Sequence, residues 1–152
     1  MGMKKYHLWL LLIILISAGA LKIFWRQSSK ATAMIGDQKI SVELRRTPLE
    51  WEKGLSGRKP LAENTGMLFV FSDTAIRQFW MKDMRFSIDI FWIRNGKVVG
   101  IAKEVPIPRD DIIPQVKSPE PVNYVLETNA GFAEKYGIKL DASFAFGRGW
   151  SY

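Results

Sequence analysis

The side chains best suited to chemistry in this chain are Arg58, Trp80, Lys82, Asp83 and Asp89, with Glu127 a weaker addition. Trp80, Lys82 and Asp83 stand together in Trp-Met-Lys-Asp, an aromatic face beside one cation and one anion. Such a set suits a ligand that stacks on the ring and bonds polar neighbours, as a sugar does. Asp89 interrupts the apolar run Ile88–Ile93. A carboxylate drawn out of water needs a partner, and Arg58, Lys82 and Arg85 are at hand. Each residue also has a plainer reading. Asp89 can be a structural ion pair or a solvent-facing strand position, Trp80 a core ring, and Arg58 with Lys82 ordinary surface charge rather than an anion site. The acids Asp83, Asp89, Glu104, Asp110, Asp111 and Glu127 admit one more chemistry. Two of them could cleave a glycosidic bond, one protonated and the other ionised. Asp110-Asp111 offers oxygen ligands of the kind calcium takes, but adjacent acids in a Pro-rich loop are usually just solvated. We assign no metal and no cofactor.

Other chemistries are excluded by composition. The chain has no cysteine and one histidine, His7, in its N-terminal segment. The remainder therefore holds no Ser-His-Asp triad, no thiolate nucleophile and no Cys- or His-rich zinc site. No phosphate-binding glycine loop opens a long helix after a strand. Of the formal net charge of +7, four charges come from Lys4, Lys5, Lys22 and Arg26, with no acid among residues 1–26. The rest is close to balance with signs interspersed, which is not a nucleic-acid footprint.

The elements that must position these residues follow from pattern. Lys39–Arg45 alternates Ile40, Val42 and Leu44 with polar neighbours, a half-buried strand after a turn at Gly36-Asp37. Thr47-Pro48-Leu49-Glu50 is a helix start, with Thr47 as cap, Pro48 at the first position and Glu50 completing a capping box. Gly54 and Gly57 end that helix early. Met67–Phe71, Gln78–Met81 and Ile88–Ile93 are short apolar strands. Asn95-Gly96 then predicts a tight hairpin into Val98–Ala102, because both turn residues must adopt positive φ. Five of the seven prolines fall in Val105–Pro121, a long loop with room for an edge strand. Val122–Glu127 reads as a strand, Ala130–Tyr136 as a short helix capped by Thr128 or Asn129, and Ser143–Phe146 as the last strand.

Leu8–Leu21 is an unbroken apolar run, and Tyr6–Trp25 is long enough to span a bilayer as a helix. Ala18-Gly19-Ala20 fits a cleaved signal peptide. The apolar continuation through Trp25, with Lys22 snorkelling, fits an uncleaved anchor, which we prefer. Either reading puts the domain outside the cytoplasm, anchored in the cell membrane or secreted.

Gly66-Met-Leu-Phe-Val-Phe, then Phe79-Trp-Met-Lys-Asp-Met-Arg-Phe-Ser-Ile-Asp-Ile-Phe-Trp-Ile, the glycine hairpin and Tyr124-Val-Leu-Glu-Thr-Asn-Ala-Gly resemble the domain of unknown function 192 family. Upstream, Gly54-Leu-Ser-Gly-Arg-Lys-Pro-Leu resembles its Gly-Leu-Met-x-Arg-x-x-Leu segment. Ser56 stands where that family usually has Met, Asp83-Met84 where Asn-Thr is common, Ser87 where Pro is frequent and Leu140 where Gly is. The resemblance spans roughly residues 40–146. It implies a compact, mostly antiparallel β-sandwich of jelly-roll type, often exported, and implies no activity.

The expectation is therefore a mainly β protein with one or two short helices. We divide it into an N-terminal hydrophobic helix (1–26), a tether (27–37) and one β-sandwich domain (38–152). Functionally it reads as a binding or accessory module of the cell envelope. Its partners would be the membrane, through the N-terminal helix, and an envelope glycan or protein, with no nucleic acid. The alternatives are a carboxylate-based hydrolase of envelope carbohydrate and a structural partner of another membrane protein.

Overall fold

The computed structural model describes residues 30–147. The N-terminal segment, with its anchor and signal-peptide readings, lies outside the described residues, as does the aromatic tail from 148. Among the described residues no helix is long and apolar enough to cross a membrane.

In chain order the elements are β1 (Lys30–Ile35), β2 (Gln38–Arg45), α1 (Pro48–Lys53), β3 (Thr65–Ala75), β4 (Gln78–Trp80), β5 (Ile88–Arg94), β6 (Lys97–Val105), β7 (Gln115–Lys117), β8 (Val122–Asn129), α2 (Phe132–Lys135) and β9 (Phe144–Phe146). Seven strands make one mixed sheet in the order β6-β5-β8-β3-β2-β1-β9, and β4 pairs with β7 in a separate two-stranded ribbon. The sheet curls until its ends meet. The Phe144 amide donates to the Gly96 carbonyl (2.7 Å), and Lys97 bridges Ser143.

Two expectations change. Strand β1 occupies residues 30–35, inside the stretch read as a tether, because its apolar Ala33 and Ile35 are fully buried against the sheet. The sheet is also not wholly antiparallel, since β2 and β3 run parallel from Ser41↔Thr65 to Arg45↔Phe69. A parallel neighbour requires a crossover, and α1 with the loop after it supplies that connection. The capping box forms as expected: the Glu50 amide donates to Thr47 Oγ1, and Glu50 accepts from the Thr47 amide. Asn95 and Gly96 both take positive φ, as the hairpin requires.

The sheet has an apolar core on each face. One holds Leu44, Leu68, Phe91, Ile93, Leu126, Phe132 and Phe144. The other holds Leu55, Met67, Phe69, Met81, Ile88, Ile90, Trp92 and Val125, with Phe79 and Val116 of the ribbon packed on it. Strands buried on both sides explain the continuous apolar runs of β5 and β8. Gly66 belongs to this tight packing. A methyl there would stand 2.9 Å from both the Glu127 carbonyl oxygen and Leu126 Cδ1, so β3 approaches β8 as closely as only glycine permits.

Candidate functional site

Strand register sorts the candidate residues onto faces. Ile90 opposes Glu127 across β5 and β8, while Asp89 opposes Thr128. Side chains alternate along a strand, so Asp89 and Glu127 project from opposite faces of the sheet. Neither can act with the other as an acid–base pair.

Asp89 is fully buried and both its oxygens are engaged. Oδ1 accepts from the Glu104 amide and Oδ2 from the Ala133 amide, each at 2.8 Å. The β5–β6 register shifts beside it, between Ile88↔Val105 and Ile90↔Ala102, and Glu104 has φ 50°. Asp89 thus pins a β-bulge on one side and caps the first turn of α2 on the other. That helix begins at Gly131 with no side-chain cap of its own, rather than at Thr128 or Asn129. Backbone amides fill the role expected of Arg58, Lys82 or Arg85.

Glu127 lies in a row across the opposite face, Glu43–Met67–Glu127–Ile90, with Arg45–Phe69–Val125–Trp92 next to it. It is 5 % exposed, and its Oε2 has no hydrogen-bond partner. Burial pushes its pKa from 4.5 up to about 8, against the pull of Arg45. Two strands away, Glu43 accepts from Arg58 Nη1 and Arg45 Nη2, both at 2.9 Å. Burial would raise the pKa of Glu43 too, but the two guanidinium groups hold it below its ordinary value. Environment therefore drives two glutamates of one row apart. The loop above them is tied down by Asn129, which bonds both the amide (3.0 Å) and the carbonyl (2.7 Å) of Leu61.

That loop also meets the Trp-Met-Lys-Asp segment. Ser56 Oγ donates to the Lys82 carbonyl (2.8 Å), and the Gly57 amide to the Asp83 carbonyl (2.9 Å). Asp83 itself turns the chain at φ 57°. Trp80 is 48 % exposed, with Lys82 Nζ 5.6 Å from its ring centre.

Trp80 owes its exposure to the ribbon. In the β4–β7 pairing Gln78↔Lys117 and Trp80↔Gln115 share the outer face, while Phe79↔Val116 points to the core. Phe79 is wedged edge-on against Phe69 (4.9 Å, 87°) and Trp92 (5.6 Å, 74°). Beside the ribbon runs a groove of about 610 Å³ lined by Trp51, Phe71, Ile76, Phe79 and Trp80, with Glu52, Arg77, Gln78 and Gln115 as its polar members. Trp51 Nε1 donates to the Arg45 carbonyl (3.0 Å), so this ring gives the groove only its apolar surface. Arg77 lies over the Phe71 ring at 3.9 Å and bonds Asp73 Oδ1 at 2.6 Å.

Of the six candidate residues, then, Trp80 lines the groove and Lys82 stands over its ring. Asp83 turns the neighbouring segment, Arg58 reaches from the loop after α1 to Glu43 in the row that also holds Glu127, and Asp89 is apart on the far face. The groove's Gln78, Gln115 and Arg77 were not among them. The alternation Gln-Phe-Trp was the available signal, and its meaning depends on a ribbon partner hidden among prolines.

Comparison with known proteins follows this geometry. No functionally curated protein matches the chain. A protein of Sinorhizobium meliloti 1021, provisionally described as a transcription regulator, is similar to it. The identity is 30 % and the TM-score 0.69, over 77 % of this chain and 93 % of that one. A protein of unknown function from Novosphingobium aromaticivorans DSM 12444 is similar at 27 % identity and TM-score 0.69, over 76 % of this chain and 84 % of that one. Residues 31–146 match the family DUF192, described as an uncharacterized ACR, and the chain belongs to that family.

Proposed function

We propose that this protein is a binding module whose ligand stacks on Trp80 in the groove beside the β4–β7 ribbon. The observation that carries the reading is the half-exposed Trp80 ring, set on the outer face of a ribbon whose other face is core. An open concavity of apolar walls with a few convergent polar groups is the usual form of a small-ligand site. A glycan fits this form. Its C–H faces match the ring, and its hydroxyls match the glutamine and arginine side chains around it. The apolar run Leu8–Leu21 supports anchoring of the module at the cell envelope. The curled sheet with the ribbon laid on its second core supports describing the domain as a small jelly-roll-like sandwich.

The test is thermal unfolding of the full chain with a panel of envelope oligosaccharides and phosphorylated glycans. A ligand that binds only the folded state adds about 2.7 kcal/mol at a hundredfold excess over its Kd. The expected result is a raised midpoint for at least one glycan, lost in Trp80→Ala. An unchanged midpoint across the panel, or a shift indifferent to Trp80→Ala, sinks the reading. Anchoring is tested separately: the full chain should stay with membranes through an alkaline wash and be released on deletion of residues 1–26. Release of the intact, uncleaved chain would overturn the anchor.

The carboxylate hydrolase has one feature in its favour: within one row, burial raises the pKa of Glu127 while two guanidinium groups lower that of Glu43. Neither lines the groove, so we rank it second. Transcriptional regulation, the provisional description of the S. meliloti relative, gains no support from the near balance of charge outside residues 1–26.

A further inference from the structure

We propose that the groove beside Trp80 selects an uncharged glycan, with Gln78 and Gln115 as the pair that reads its hydroxyl or amide groups. This rests on the binding-module reading and narrows it to a ligand class.

The choice of ring comes first. The Phe71 face is covered by the Arg77 guanidinium, and Phe79 is held edge-on in the core. Trp80 is the lining aromatic left half-exposed, and it stands directly across the ribbon from Gln115. Gln78 is on the same outer face, two residues along β4 from that ring.

The polar set comes second. Gln78 Nε2 donates to Gln115 Oε1, which links the two amides across the ribbon. The bond leaves one carbonyl oxygen and one amide nitrogen of this groove-lining pair without a partner among the described residues, whichever way round the amides are written. One acceptor and one donor side by side match a hydroxyl, which is both. A Pro-rich peptide, the other ligand that aromatic grooves favour, is poor in N–H donors and leaves the free carbonyl and Glu52 unmatched.

Charge comes third. The lining carries one cation, Arg77, and one anion, Glu52. Arg77 is already neutralised by Asp73, and Lys82 lies over the Trp80 ring at the rim. An acidic sugar entering the groove finds no unpaired cation in the lining and meets Glu52. A basic sugar meets Lys82 over the stacking ring. An uncharged one meets neither penalty.

The experiment is isothermal titration of the full chain with three tetrasaccharides: tetra-N-acetylchitotetraose (uncharged), its fully de-N-acetylated counterpart (cationic) and tetragalacturonate (anionic). Each is measured at low and high salt. The expected result is saturable binding of the uncharged probe, with an affinity that does not change with salt. It should fall by about tenfold or more in Trp80→Ala and several-fold in Gln115→Ala, the scale of losing one well-packed contact. Both positions are on an outer ribbon face, so circular dichroism should be unchanged in the variants. Tighter, salt-dependent binding of either charged probe that still needs Trp80 overturns the uncharged class while leaving the module standing. No Trp80-dependent binding of any tetrasaccharide overturns both.

Discussion

Replacing Glu127 with glutamine should stabilise the protein by on the order of 4 to 5 kcal/mol above about pH 8, and hardly at all near pH 4. Burial lifts the folded-state pKa from 4.5 to about 8, while the unfolded chain ionises at the ordinary value. Between those two values the folded state holds a proton that the unfolded state has released. Stability therefore falls as pH rises from about 4.5, at about 1.4 kcal/mol per unit, and levels off above about 8. Glutamine has the same shape and no proton to lose, so its stability lacks this slope. Urea denaturation of both proteins across that range, read as a midpoint at constant m, checks the result. Parallel pH profiles for the two proteins would mean that Glu127 is not held protonated.

Asp89→Ala should have the opposite sign and a similar size, a loss on the order of 3 to 5 kcal/mol. The substitution strips acceptors from two amides at once, those of Glu104 and Ala133. A buried donor left without a partner costs about 1–3 kcal/mol, and each bond to a carboxylate is among the stronger kind. The bulge at Glu104 and the first turn of α2 both depend on it, so hydrogen exchange should quicken at those two amides before the rest of the sheet. Asp89→Asn, which keeps one acceptor, should lose less. A cost below about 1 kcal/mol for the alanine variant would show that both amides find water instead.

The contrast between these two acids marks how far sequence could be read. Local devices were legible, because the residues that make them are neighbours: the Thr47–Glu50 capping box and the Asn95-Gly96 turn formed as expected. The strands were legible as apolar runs, with ends off by a few residues. Orientation was not. Strands β5 and β8 are buried on both faces, so nothing in their pattern says which way Asp89 or Glu127 points, and the two were grouped although the sheet separates them. The parallel β2–β3 pair and the β4–β7 ribbon are non-local choices. The ribbon in particular depends on three residues between Pro114 and Ser118, too few to show a period. Trp80 was legible as a candidate from its charged neighbours, whereas Gln78 and Gln115 gained meaning only once the ribbon set them side by side.

The meeting of β9 with β1 and with the start of β6 bears on how the molecule folds. Hairpins such as β5–β6 close short loops and can form early. The Ala33↔Phe146 and Ile35↔Phe144 pairs join opposite ends of the domain, and the entropy of closing so long a loop must be met before the pairing yields anything. Until then β1 and β6 both present unpaired backbone, a template for pairing with another chain. The last few residues of the fold thus act as a latch, and the interval before it shuts is when self-association competes most strongly with folding.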